Sequence, residues 1–194
     1  MAATVVSGWE RSMLAAERVR ERMRRAATAL EAANVPYAVI GGHAVAEWVG
    51  RIDSAAVRNT QDVDILLRRA DLPAATAALG AAGFVHGHSS GVDFFLDGPN
   101  ASPRDAVHVV FANEKVRADY AAPAPDVAES EPTEGFQVLG LEALVRMKLT
   151  SFRLKDRVHV LDMIEVGQLD HTWPARLPPE LASRLRELLA NPDS

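Results

Sequence analysis

The chain has 194 residues, a formal charge of −5 at neutral pH and no cysteine. That length suits one domain able to bury its own core, and the lack of thiols excludes disulfides and thiolate metal sites and favours a cytoplasmic protein. The acidic balance leaves no overall basic footprint for nucleic acid, and no apolar run approaches the roughly 18 residues of a membrane span. The start, MAATVVSGWERSM, has no basic segment followed by a long apolar run, so no secretory signal is expected.

In chain order, Ala16, Val19, Met23, Ala26, Ala27 and Leu30 recur at helical spacing and predict an amphipathic helix from Glu10 to about Ala33. Asn34-Val35-Pro36 ends it. The apolar run Tyr37–Ile40 reads as a buried strand stopped by Gly41-Gly42, with a short helix over His43–Val49 and loop over 50–61. Val63, Ile65, Leu66 and Leu67 mark a second strand. Asp71 is placed to cap an alanine-rich helix that closes near Gly83. Three strands are expected over Phe84–Ser89, Val92–Asp97 and Asp105–Ala112, the first two joined by a turn at Ser89-Ser90-Gly91. The stretch Ala121–Gly135, with three prolines and several acids, reads as an extended loop. One long helix is expected from Leu141 to about Val166, and Pro179 opens a last one. The order gives a mixed α/β (α+β) sheet flanked by helices. Its units are an N-terminal helix (1–34), a core (35–120), an acidic loop (121–140) and a C-terminal helical unit (141–194).

The acids of Asp62-Val63-Asp64 sit two apart at a strand, so both side chains leave one face. Two converging carboxylates repel, and a hard divalent cation relieves that repulsion. Alone, such a pair is common at solvated strand ends. It gains meaning from Gly41-Gly42, which precede a helix: missing side chains admit close backbone approach, and the helix N-terminus offers free N–H groups to an anion.

The stretch GGHAVAEWVGRIDSAAVRNTQDVDILL resembles the nucleotidyltransferase superfamily, whose pattern is a glycine pair followed by a strand bearing D-x-D. It is most similar to the minimal bacterial group that includes AbiEii-type abortive-infection toxins. The likeness extends over roughly residues 35–170. It implies a nucleotidyltransferase fold, Mg²⁺ (or Mn²⁺) held by Asp62 and Asp64, and nucleotide binding by Gly41, Gly42, His43, Arg58 and Thr60. In that family a third carboxylate usually comes from a later strand; here the matching position holds His108. Asp93 on the neighbouring strand is a possible substitute, whereas Asp105 falls on the opposite strand face.

On the expected long helix, Lys148, Lys155, His159 and Asp162 fall along one stripe at about 100° per residue. Two lysines suit a triphosphate, and the resemblance gives Lys148, Lys155 and Asp156 a nucleotide-binding role. A solvated helix face would give the same spacing. Arginines 18, 20, 22, 24 and 25 crowd the first helix, interspersed with acids that suggest a salt-bridged face. Together these features imply an enzyme that moves an NMP from an NTP to a hydroxyl of tRNA or protein, as the toxin of a toxin–antitoxin pair. Two alternatives are an antibiotic-modifying nucleotidyltransferase, for which the acidic segment Asp126–Glu134 is a hint, and a catalytically reduced nucleotide-binding module, which His108 favours.

Overall fold

The computed structural model describes residues 7–102 and 105–191; the outermost residues of the first and last expected units lie outside that range. Helix α1 (Gly8–Ala32) begins two residues earlier than its apolar period suggests. A capping box explains this: Ser7 Oγ accepts from the Glu10 N–H at 3.1 Å, and Glu10 accepts from the Ser7 N–H at 2.7 Å. Strand β1 (Ala38–Ile40) runs straight into α2 (Gly41–Gly50), so the two glycines form the first turn of that helix. Strand β2 (Val63–Leu67), helix α3 (Leu72–Ala81) and strands β3 (Val85–Ser89), β4 (Val92–Leu96) and β5 (Ala106–Phe111) follow as expected. Ser90 and Gly91, both with positive φ, make the β3–β4 turn. Asp71 precedes α3, but its side chain makes no capping bond.

Two further expectations fail. The segment read as acidic loop (121–140) contains both β6 (Ser130–Pro132) and β7 (Gln137–Leu139). These strands extend the sheet beside β1, giving the order β3-β4-β5-β2-β1-β7-β6 in a seven-stranded mixed sheet. Three acids of this segment are also paired locally. Asp126 accepts from Arg68 and Asn113, both at 2.6 Å, Glu131 from Arg51 at 2.6 Å, and Glu129 from Arg146. The single long helix is in fact two, α4 (Leu141–Ser151) and α5 (Leu154–Glu165), parted at Phe152 with φ 45° in the left-handed region. Helix α6 (Pro179–Ala190) closes the fold.

Alternation along the strands sends residues to two cores. Val39, Val63, Ile65, Leu67, Phe95, Val107 and Val109 pack against α1 and α3. Ala38, Ile40, Leu66 and Val138 face the other way, toward α2, α4, α5 and α6. Among the described residues no helix is long and apolar enough to cross a membrane.

Candidate active site

The register across the sheet sets the site. Ile40 pairs with Asp64, Asp64 with His108, and His108 with Phe94, so these four residues share one row. By alternation that row faces α2, α4 and α5 rather than α1. Gly41, immediately after Ile40, therefore lies beside Asp64. Its φ of +68° suits glycine, and a Cβ there would collide with the Asp64 carboxylate. A Cβ on Gly42 would stand 2.7 Å from Thr60 Oγ1. Both glycines are thus demanded by how closely the turn meets the segment bearing the acids. Gly41→Ala is expected to cost about 2–4 kcal/mol, from left-handed strain plus overpacking, and to lower the melting temperature by roughly 5–15 °C in a thermal melt.

Gly41, Gly42, Thr60, Asp62 and Asp64 line a cleft of about 240 Å³ together with Lys148, Lys155, Asp156 and His159. Lys148 closes α4 and Lys155 opens α5, so the break at Phe152, not a continuous stripe, brings them to one place. Asp162 is not with them: it accepts two bonds from Arg58 Nε, at 2.9 and 3.1 Å. Arg58 and His43 line a neighbouring groove between α1 and α2 instead of the cleft. Thr60 borders both.

Asp156 is almost fully buried and collects Arg153 Nε at 2.7 Å, Ser151 Oγ at 2.8 Å and Lys148 Nζ at 3.3 Å. Burial works against its charge, but Arg153, Lys148 and Ser151 together hold its pKa below the usual carboxylate range. Burial lowers the pKa of Lys148, and Asp156 and Asp64 oppose that fall. Asp64 behaves in the opposite sense to Asp156. Burial and then the charge of Asp62 raise its pKa, against His108, Lys148 and Lys155. Ser151, Arg153 and His159 also line the cleft, as do Val116 and Tyr120 from the loop after β5. Ser151 and Arg153 could not be placed there while α4 and α5 read as one helix.

His108 is not among the described residues lining the cleft. It stands beside Asp64, with Nδ1 4.0 Å from Oδ1 and without a hydrogen-bond partner. Asp93 does not replace it. It faces the α1–α3 side, where His86 and His88 bond its two oxygens at 2.9 and 3.1 Å. Asp105 likewise turns away, accepting from Arg22 at 2.9 Å.

Among the described residues, no three of His, Asp or Glu stand close enough together to hold a cation by themselves. The donor set nevertheless suits one. The Asp64 carboxylate is desolvated with the like charge of Asp62 beside it, and the orphaned His108 Nδ1 leaves coordinating capacity next to it. Two carboxylates plus substrate phosphates are what Mg²⁺ commonly takes.

His43 and His159 are both held near pKa 4, chiefly by burial, with Arg20 adding at His43 and Lys148 at His159. Each is neutral at pH 7. A histidine with a depressed folded pKa gives stability that is full above the unfolded value near 6.5 and drains as pH falls toward 4. Replacing His159 with Gln should remove about 2 kcal/mol of the stability lost between pH 7 and 4.5, read from denaturant unfolding at the two pH values.

Comparison with known proteins agrees with this architecture. No curated protein sequence matches significantly. Several solved structures share the fold at low identity. An antigenic nucleotidyltransferase-like protein from Paracoccidioides brasiliensis aligns with a TM-score of 0.59 at 18% identity, covering 90% of this chain and 88% of that one. JHP933 from Helicobacter pylori aligns at 0.52 and 16%, covering 92% and 75%. The antibiotic-resistance factor ANT(2'')-Ia aligns at 0.50 and 14%, covering 88% and 90%. Residues 3–129, about two thirds of the chain, match the sequence profile of the family described as "Uncharacterised nucleotidyltransferase", and the chain belongs to that family.

Proposed function

We propose that the protein transfers a nucleoside monophosphate from an NTP to an acceptor hydroxyl and releases pyrophosphate. The observation that carries this reading is the apposition of Gly41 and Asp64 in a cleft that also holds Lys148 and Lys155. Asp62 and Asp64 would hold Mg²⁺ or Mn²⁺, with His108 beside them. Such a cation, when bound, neutralises phosphate charge and that developing on the leaving oxygen. Gly41 and Gly42 of the first turn of α2 line the same cleft, and free N–H groups at a helix start can cradle phosphate oxygens. Lys155 supplies a mobile positive charge, and Lys148 a fixed one anchored by Asp156. The acceptor oxygen bonds to the α-phosphorus as the bond to the bridging oxygen breaks, and the hydroxyl proton leaves to solvent.

The resemblance of the glycine and D-x-D stretch to AbiEii-type proteins suggests a toxin acting on tRNA or protein and restrained by an antitoxin. A drug acceptor is the second reading: the antibiotic-resistance factor ANT(2'')-Ia shares the fold, although Asp126, Glu129 and Glu131 of the acidic segment are paired with arginines. Titrating NTP with and without Mg²⁺ or Mn²⁺, followed by a pyrophosphate assay against tRNA and protein acceptors, tests the proposal. Nucleotide binding that ignores the metal would refute it.

A further inference from the structure

The charged groups of the cleft all come from β2 and the residue before it, from α4 and α5, and from the link between those helices. A different wall comes from one loop, residues 115–123 between β5 and β6, and its lining is apolar: Val116, Tyr120, Ala122 and Pro123, with Met147 of α4 also in the cleft. The loop is pinned at its base. Asn113 N–H donates to Ala124 O at 3.0 Å and Ala124 N–H to Glu114 O at 2.9 Å. The Asn113 amide reaches Asp126 at 2.6 Å, and Arg69 holds Glu114 by two bonds of 2.7 Å. Between those clamps Val116 is 55% exposed, a large aliphatic side chain on the wall of a cleft. Tyr120 is half-buried beside it, its N–H turned back to Arg117 O at 3.1 Å.

A loop pinned at its base and presenting an aromatic and an aliphatic side chain, next to carboxylates and lysines suited to a metal-bound triphosphate, fits the remaining part of a nucleotide. We infer that residues 115–123 form the nucleobase platform, with the Tyr120 ring stacking on the base and Val116 and Met147 bounding the slot. The inference rests on the transferase reading above. Stacking and apolar contact do not tell one base edge from another, since every base has a π-face. The only side-chain polar group on the loop's wall is the Tyr120 hydroxyl. The platform therefore accepts all four bases, purines ahead of pyrimidines by their larger face, within about tenfold in affinity.

Calorimetric titration of the full chain at fixed Mg²⁺, with ATP, GTP, CTP, UTP and base-free inorganic tripolyphosphate, tests this. ATP should bind more tightly than tripolyphosphate. Tyr120→Ala should weaken ATP about tenfold and leave tripolyphosphate unchanged, while Tyr120→Phe should keep nearly all the ATP affinity. If tripolyphosphate does not bind with Mg²⁺, the transferase reading fails. If it binds normally but Tyr120→Ala leaves ATP affinity untouched, the loop assignment alone fails. A preference above a hundredfold for one base would overturn the tolerance claimed for the platform.

Discussion

Asp64→Asn is expected to lose metal-dependent nucleotide binding and at least a thousandfold in pyrophosphate release, while melting at a higher temperature than the wild type. The two effects share one cause. Burial disfavours the charged form of Asp64, and Asp62 adds a like charge to it. With its folded pKa raised, the carboxyl contributes stability that is full below the unfolded value near 3.8 and is lost as pH rises through the folded one. The charged form of the carboxyl is therefore a strain on the fold, which the neutral amide of the same shape removes. A gain of about 1–2 kcal/mol, or roughly 2–8 °C, is the usual scale for relieving a functional site in this way. Adding Mg²⁺ with nucleotide should raise the melting temperature of the wild type and not of the variant. A variant that melts lower, or still binds ATP with Mg²⁺, would contradict the role given to this residue.

The largest loss of stability is expected for Asp156→Ala. Removing it strands the Lys148 ammonium inside the protein and leaves Arg153 and Ser151 without their shared acceptor. Breaking a buried pair by deleting one partner costs about 3–5 kcal/mol, or roughly 6–20 °C for a chain of this size. The double variant Asp156→Ala, Lys148→Met should recover most of that loss, because an apolar side chain needs no counter-charge. Its affinity for tripolyphosphate should nonetheless stay below wild type, since Lys148 sits on the cleft wall. Denaturant melts of the single and double variants measure the first effect, and calorimetry measures the second.

Much of this architecture could be read from the chain because its cues are local. The period of Val19, Met23, Ala26 and Leu30 marks α1, Pro179 marks the start of α6, and Ser90-Gly91 marks the hairpin. The spatial logic of the glycines and acids was also legible. A strand that ends in glycine and a later one bearing two acids at period two need only pair in register to meet, and Ile40 does pair with Asp64. The break between α4 and α5 was hidden because it falls at Phe152, a residue that rarely takes the left-handed conformation, with no glycine or proline to announce it. Strands β6 and β7 hold three residues each, too few to show a period, and β7 owes its place to a partner far away in sequence. The loop that carries Tyr120 has no periodic signal at all, so its place against the cleft emerges only from the folded chain.

That distant partnership governs when the site can come into being. Val39 pairs with Val138, residues about a hundred positions apart, so β1 stays at the sheet's border until most of the polypeptide exists. Closing so long a loop is slow, and sheets built from remote pairings form late. A nascent chain that has emerged only as far as β5 already carries the glycine turn and both acids, yet it lacks Lys148, Lys155 and the neighbour that covers β1. A complete cleft is thus reserved for the finished protein, and a ribosome-bound fragment would hold half of it.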